Sequence, residues 1–165
     1  MNEKYTPKDV YEAVRAGNLE LAKTIFDSDS SLINLVTPLG SWLHVATQYG
    51  HKALVEFLIE KGLDINVKGG PSGVTPLNTA AHEGNLELLE FFLERNAEID
   101  ISEPDRNPLF AAIHAGHIDI AEKLLDFGID VEVKYTGQTM KDMDALAYCH
   151  EWGRTDIAKL IESYK

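Results

Sequence analysis

The sequence predicts an all-α solenoid built from about five helix–turn–helix units. The first observation is a glycine period with intervals of 33, 34, 32 and 37 residues, at Gly17, Gly50, Gly84, Gly116 and Gly153. The second is a small residue four positions before each glycine: Ala13, Ala46, Ala80, Ala112 and Cys149. A fixed period in this range is typical of repeat proteins, whose like units stack in a row.

Each part of the unit has a physical reason. Thr75 suits the N-cap of the first helix, and Pro76 suits its first turn. The period glycine permits a left-handed helix ending. The second helix carries apolar residues at helical spacing, such as Leu54 and Leu58, with charges between them. Twelve residues beyond the period glycine a second turn is predicted, at Gly62, Asn96 and Gly128.

The terminal units depart from this pattern, as capping units do. The first helix starts with Thr6 and Pro7, and the last unit ends with its second helix near Lys165. No linker or low-complexity segment interrupts the chain, so we expect a single domain over 1–165. The predicted repeats are roughly 5–35, 36–69, 70–102, 103–135 and 136–165.

Three segments share a motif before the period glycine: Ser-Trp-Leu-His at 41–44, Thr-Pro-Leu-Asn at 75–78 and Asn-Pro-Leu-Phe at 107–110. With the later Gly-His, Leu-Leu and Gly-x-Asp elements, the chain resembles the ankyrin-repeat family over nearly its whole length. The resemblance implies β-turn or hairpin fingers that project between units, and degenerate N- and C-terminal capping repeats. It also implies a non-catalytic role in binding another protein.

The resemblance places the residues just before each period glycine on a concave groove. The candidate partner-binding residues there are Arg15, Gln48, Tyr49, His82, Glu83, His114, Glu151 and Trp152. Tyr49 and Trp152 are the most informative, because large aromatic side chains at exposed positions favour interface anchors. The alternative is that each packs on its neighbouring helix or covers the end of the stack.

Two fingers supply further candidates. The third contributes Glu103, Asp105 and Arg106, whose charges suit polar contacts with a partner. The fourth, at 134–144, accounts for the longest period and contributes Tyr135, Met140 and Met143. Insertions in repeat proteins often lie on the binding face, although an insertion without a role explains the length equally well.

The formal net charge is −12, from 27 acidic and 15 basic residues. This balance argues against nucleic acid and anionic membrane as partners, because both need neutralising Lys and Arg. It favours a partner protein with a basic surface, or else it is a solvated surface that keeps the chain soluble. Without an apolar leader or spanning run, we expect a cytoplasmic protein, although an effector exported without a signal peptide would have the same sequence features. We also expect a monomer in isolation.

Histidine and cysteine often act as catalytic residues or metal ligands, but in this sequence each has a structural explanation. By resemblance, His51 and His117 make structural hydrogen bonds and His44 bonds a neighbouring loop, while His82 and His114 lie near each other. No metal-ligand spacing is present, and Cys149 occupies a small-residue position, so burial is expected. We therefore predict no catalytic residue, no metal and no cofactor.

Several functions remain open at this point. The first is a recognition module that binds a protein through its groove and fingers. A sharper version is a stoichiometric inhibitor or immunity-type protein that neutralises a basic toxin or enzyme. An enzyme hidden in the scaffold and an assembly subunit are the other classes.

Overall fold

The computed structural model describes residues 5–165 and consists mainly of helices. The α-helices are α1 Pro7–Arg15, α2 Leu19–Ser28, α3 Trp42–Gln48, α4 Lys52–Glu60, α5 Pro76–Glu83, α6 Leu86–Glu94, α7 Pro108–Ala115, α8 Ile118–Asp126, α9 Ala145–Glu151 and α10 Thr155–Ser163. Short 3₁₀ helices span Ser30–Asn34 and Pro104–Arg106. Consecutive helices pair as the glycine period predicts, one pair to each repeat.

The chain divides into two compact units, which we call the first unit (up to Pro76) and the second unit (Leu77–Lys165). In the first unit, α1 packs on α2 and on α3, and α3 packs on α4. In the second unit, α7 packs on α8 and α9, α6 packs on α8, and α8 packs on α10. Within each unit, therefore, helices of the same kind lie side by side from one repeat to the next.

The helix starts are fixed by side chains that satisfy free N–H groups. Thr6 forms a capping box with Asp9, in which the Thr6 N–H donates to Asp9 Oδ2 at 2.7 Å. Asn18 and Asn85 accept from backbone N–H groups at the starts of α2 and α6, and Asp144 does the same for α9. These short helices depend on such caps, because each leaves four N–H groups without an intrahelical partner.

The period glycines take the left-handed conformation predicted for them, and so does Asn96 with φ of 55°. At Gly17 a close approach adds a second requirement. A Cβ there would stand 2.6 Å from Nδ1 of His51, the residue that follows the next period glycine. Gly84 repeats the arrangement, with His117 Cε1 at 2.6 Å. Only glycine meets both the backbone and the packing requirement at these positions.

The turns between repeats form small fingers of differing structure. In the first finger, β1 Val36–Thr37 pairs antiparallel with β2 Gly40–Ser41. Single bridges close the second and fourth fingers, at Gly69–Val74 and Tyr135–Met143. The third finger carries the 3₁₀ helix Pro104–Arg106. The predicted β-turn and hairpin fingers are thus present in three of four positions.

The core follows the repeat pattern. The five small residues before the period glycines are at most 1% exposed, so each of these positions is buried. Cys149 is one of them, and burial raises the pKa of its thiol to about 12. The buried second-helix residues include Leu54, Leu58 and Leu88. Trp42 adds a tether, since its Nε1–H donates to the Leu32 carbonyl at 2.7 Å in the interior.

Candidate functional site

One set of polar side chains reaches back to the preceding repeat and so has a structural task. His51 Nε2 lies 2.8 Å from the Arg15 carbonyl oxygen, and His117 Nε2 lies 3.1 Å from that of His82. These contacts confirm the structural role expected of both histidines. In the last repeat Arg154 replaces histidine, and its guanidinium donates to the carbonyls of Ile113 and His114 at 3.0 and 2.7 Å.

A second set reaches forward to the next finger. His44 accepts from the Ser41 N–H at Nδ1 (3.2 Å), so its Nε2 carries the proton and donates to the Val74 carbonyl at 2.9 Å. Burial lowers the pKa of His44, which keeps the ring neutral. Asn78, six positions before its own period glycine as His44 is, donates from Nδ2 to the Arg106 carbonyl at 2.7 Å. The prediction for His44 is confirmed, whereas the matching role of Asn78 is new.

The fourth repeat replaces this polar contact with an aromatic one, and the placement of Tyr135 has to be corrected. Tyr135 is only 7% exposed and packs edge-on against the buried Phe110, with ring centroids 5.1 Å apart. Its hydroxyl donates to the Ile101 carbonyl at 2.7 Å and accepts from Asn107 at 3.0 Å. Tyr135 therefore anchors the fourth finger from inside and does not offer a surface to a partner.

In the first unit Tyr11, Arg15 and Tyr49 form an exposed aromatic patch, the tyrosine patch, and Gln48 precedes Tyr49 as a half-buried residue. The Tyr49 side chain is 39% exposed, and its hydroxyl lies 3.4 Å from that of Tyr11. The Arg15 guanidinium stands 5.8 Å from the centre of the Tyr49 ring. Sequence reasoning singled out three of these residues but missed Tyr11, which lies six positions before Gly17.

Beside the tyrosine patch, an apolar groove of about 580 Å³ runs along the first finger. Tyr11 and Trp42 form one part of its lining, and Val36 and Leu39 form another. Val36 is 77% exposed and Leu39 is 40% exposed. The groove therefore places an apolar surface next to the tyrosine patch. The sequence of this finger is short and apolar but does not by itself predict a groove.

The second unit carries a longer array of rings, the ring ladder, which consists of His82, His114, Trp152, Tyr148, Phe110 and Tyr135. His82 and His114 stack with centroids 6.1 Å apart, as their spacing predicted. His114 meets Trp152 edge-to-face at 4.2 Å, and Trp152 meets Tyr148 at 6.1 Å. Tyr148 then stacks on Phe110 at 4.4 Å, with 14° between the ring planes.

The ring ladder passes from solvent into the core. His82 and His114 are exposed and Trp152 is 44% exposed, whereas Phe110 is 2% exposed. Burial raises the pKa of Tyr148, and a hydrogen bond from Trp152 acts in the opposite direction. The exposed rings therefore rest on a buried support that fixes their positions. Sequence reasoning missed Tyr148, although it is aromatic where the other repeats carry Glu12, Val45, Thr79 and Ala111.

The two units differ in charge as well. Residues 77–165 carry 18 acidic and 8 basic residues, a formal charge of −10, whereas residues 1–76 carry 9 and 7, a formal charge of −2. Glu151 is exposed next to Trp152, and Glu83 Oε1 lies 3.2 Å from His82 Nδ1. Of the formal net charge of −12, therefore, −10 belongs to the unit that carries the ring ladder.

The remaining candidates lie on the fingers of the second unit. Glu103 and Asp105 are exposed, and Arg106 is half-buried with its guanidinium 3.4 Å from Ser102 Oγ. Met140 and Met143 are half-buried. The Met143 backbone pairs with that of Tyr135. The fourth finger is therefore an ordered loop around a buried tyrosine.

Among residues 5–165 we find no group of three or more His, Cys, Asp or Glu side chains arranged to hold a metal ion. In the same part of the chain, none of the helices has the length and apolar character that crossing a bilayer requires.

The model for three copies of the ankyrin repeat matches residues 10–105, and the single-repeat model matches residues 105–135. The chain belongs to the ankyrin-repeat family. The fold class predicted from the sequence, an all-α ankyrin solenoid, is thereby confirmed. Ankyrin repeats are in general modules for protein–protein interaction and are in general non-catalytic. Residues 136–165, with the last helix pair, lie beyond the matched range.

Several relatives are similar over part of their length. A mouse protein named for its ankyrin repeats and SAM domain is 36% identical over 98 residues, which is 59% of this chain and 11% of that protein. A putative ankyrin repeat protein of fowlpox virus is 43% identical over 51% of this chain and 15% of its own. The palmitoyltransferase Hip14 of Drosophila melanogaster is 34% identical over 54% of this chain and 14% of its own. The chain thus spans a small part of each of these relatives.

Proposed function

We propose that this ankyrin-repeat chain is a non-catalytic recognition module that binds a partner protein through its exposed groove residues and fingers. The observation that carries the proposal is the contrast between two kinds of polar and aromatic side chain. His44, His51, Asn78, His117 and Arg154 are engaged in holding repeats together. The rings of Tyr49, His82, His114 and Trp152 are exposed to solvent, at the two positions that precede the period glycine in each repeat.

Exposed rings of this size are costly to leave in water and effective at an interface. A Trp or Tyr that is about two-fifths exposed supplies apolar area and loses little side-chain entropy on binding. The buried support under the ring ladder reduces that entropy cost further, because the exposed rings are already held in place. The exposed acids Glu83, Glu103, Asp105 and Glu151 belong to the same unit as His82, His114 and Trp152 and favour a basic partner.

The proposal is tested by affinity capture from the source lysate, followed by binding measurements with the purified captured protein. Tyr49→Ala or Trp152→Ala is expected to weaken binding about thirtyfold, the effect of losing an interface anchor. Helical content is expected to stay unchanged in both. If both variants and a deletion within 136–142 bind the captured protein as the wild type does, the interface lies elsewhere.

The inhibitor hypothesis is a special case with its own support, the charge of −10 on the second unit. Such a surface suits a basic enzyme or toxin and speeds association at low salt. The test is the activity of the captured protein titrated with this chain. An inhibitor abolishes activity at one equivalent, whereas a scaffold or targeting module leaves it intact. Sedimentation of the chain alone tests the accompanying expectation of a monomer.

A further inference from the structure

The exposed end of the ring ladder has the features of a site for one particular side chain. It presents three rings, His82, His114 and Trp152, at fixed mutual distances of 6.1 and 4.2 Å. The rings below them are packed into the core, so the exposed ones do not need to reorganise when a ligand arrives. The chemical class of the side chain that the ladder binds rests on the recognition role proposed above.

Elsewhere in the described residues, arginine stands over an aromatic ring in two places, one at the buried Phe91 and one at the exposed Tyr49. The Arg95 guanidinium stands 3.7 Å from the centre of the Phe91 ring, and Arg15 stands over Tyr49. In residues 5–165 no arginine or lysine covers the Trp152 ring in this way. Arg154 comes closest in sequence, but its Nε and Nη2 donors are directed to the backbone carbonyls of Ile113 and His114. The best cation–π surface of the second unit is therefore left for a cation from outside.

The charge around the ring ladder also favours a cationic ligand. Glu151 adjoins Trp152 and Glu83 adjoins His82, and both carboxylates are exposed. The field of Asp105 reaches the ladder as well, because its charge contributes to raising the pKa of Tyr148. With a formal charge of −10 on the unit, phosphate groups and acidic peptides are repelled, whereas a cation is attracted.

We propose that the ring ladder binds an arginine side chain in a basic segment of the partner protein. The planar guanidinium stacks on the exposed face of Trp152, beside the His114 ring that meets this tryptophan edge-to-face. The exposed carboxylate of Glu151, the residue before Trp152, accepts from the guanidinium N–H groups. Lysine has a compact ammonium group that can neither stack nor donate in two directions from one plane. The ladder therefore distinguishes arginine from lysine, which a merely acidic surface does not.

The test uses labelled Gly/Ser peptides that carry spaced arginines, spaced lysines or spaced glutamates, with binding followed by fluorescence anisotropy. The arginine peptide is expected to bind about tenfold more tightly than the lysine peptide. The glutamate peptide is expected not to bind. Trp152→Ala lowers affinity for the arginine peptide about tenfold and removes the preference over lysine. Glu151→Gln lowers that affinity several-fold, by about the energy of one charge-assisted hydrogen bond.

Two matched controls come from the same unit. Phe127 is 53% exposed and lies outside the ladder, so Phe127→Ala leaves arginine-peptide binding unchanged. Glu162 is an exposed carboxylate on α10, and Glu162→Gln likewise leaves it unchanged. Equal affinity for the arginine and lysine peptides, or equal loss in Trp152→Ala and Phe127→Ala, overturns the proposal and leaves only general attraction to an acidic surface.

The outcome is separable from that of the proposed function. If the captured partner loses affinity with Trp152→Ala but the peptides show no dependence on the ladder, recognition stands and the arginine inference fails. If the peptides behave as expected but the partner ignores Trp152→Ala, the ladder binds arginine and the proposed interface is wrong.

Discussion

The first and second units are built on the same helix pair but present different surfaces. The first unit is close to neutral, with a formal charge of −2, and the Arg15 guanidinium stands 5.8 Å from the ring centre of its exposed Tyr49. The second unit carries −10 and exposes Trp152 and His114 as a ring surface. The contacts that hold repeats together are similar in both, since His51 and His117 make equivalent hydrogen bonds. The contacts between repeats are thus alike in the two units, while the exposed residues of the repeats differ.

The two tryptophans express this difference most clearly. Trp42 belongs to the first unit and is 1% exposed, whereas Trp152 belongs to the second and is 44% exposed. One residue type therefore serves packing in one unit and is available for recognition in the other. Substitutions at packing positions should therefore change stability, whereas substitutions at the exposed rings should change binding.

Trp42→Ala is expected to lower the free energy of unfolding by about 3–5 kcal/mol, because it leaves a large cavity in the core. It also leaves the Leu32 carbonyl without its indole donor. Chemical denaturation followed by circular dichroism measures the loss. Trp42→Phe is the control, since it keeps most of the volume and is expected to cost clearly less. A loss no larger than that of Trp152→Ala would contradict the assignment of Trp42 to the core.

Gly84→Ala is expected to lower the free energy of unfolding by about 2 kcal/mol, because alanine is strained in the left-handed conformation and its Cβ clashes with His117. Gly153 has a similar φ of 65°, but a Cβ there meets nothing within 4 Å, so Gly153→Ala isolates the strain at about 1 kcal/mol. Thermal unfolding of both variants provides the comparison. Equal destabilisation would show that the histidine packed on Gly84 adds nothing.

His44→Asn tests the forward contact, because Asn78 makes the equivalent hydrogen bond in the second unit. The buried His44 has a lowered pKa, so the unfolded chain binds its proton first as the pH falls below the ordinary value of 6.5. Wild-type stability contributed by this group is present above that pH and is lost as the pH falls toward the folded-state pKa. His44→Asn is expected to lower the free energy of unfolding by about 1 kcal/mol at neutral pH. As the pH falls, the variant is expected to lose less further stability than the wild type does.

The readout is the denaturation midpoint across the acid range for both proteins, and Asn78→Ala serves as the control without a titrating group. Parallel pH profiles for wild type and His44→Asn would contradict a neutral, buried His44.

Trp152→Ala is expected to change the free energy of unfolding least, by about 0.5–1 kcal/mol, since only its contacts with His114 and Tyr148 are lost. Differential scanning calorimetry measures the change, with Phe127→Ala as the matched exposed aromatic control. A loss near that of Trp42→Ala would mean that Trp152 caps the stack and is not free for recognition.

The sequence was sufficient wherever the backbone requires one residue type or where a position repeats. The left-handed glycines, Asn96, the Thr6 cap and the burial of Cys149 all follow from local chemistry or from alignment within the chain. The hydrogen bonds of His44, His51 and His117 followed from the family resemblance. The proximity of His82 and His114 followed from their spacing, because residues one period apart meet on neighbouring first helices.

Other features of the candidate site could be identified only from the structure. Tyr135 lies in the longest finger, where no period fixes which side chains turn inward, and only the structure shows its hydroxyl between Asn107 and Ile101. Asn78 and Arg154 were missed because each replaces a histidine by a different donor at the same position. The support of Trp152 by Tyr148 and Phe110 crosses two repeats, so no single repeat reveals it. A repeat position that keeps its hydrogen bond but changes its residue type is therefore harder to recognise from the sequence than a terminal repeat that departs from the pattern.

The most direct test of the account is the affinity of the purified partner for the double variant His114→Ala/Trp152→Ala, measured beside its denaturation midpoint. The account predicts a loss of about a hundredfold in affinity, with a midpoint close to that of Phe127→Ala. Unchanged affinity in a folded double variant would contradict it, because the second unit would then recognise its partner without the surface that sets it apart from the first.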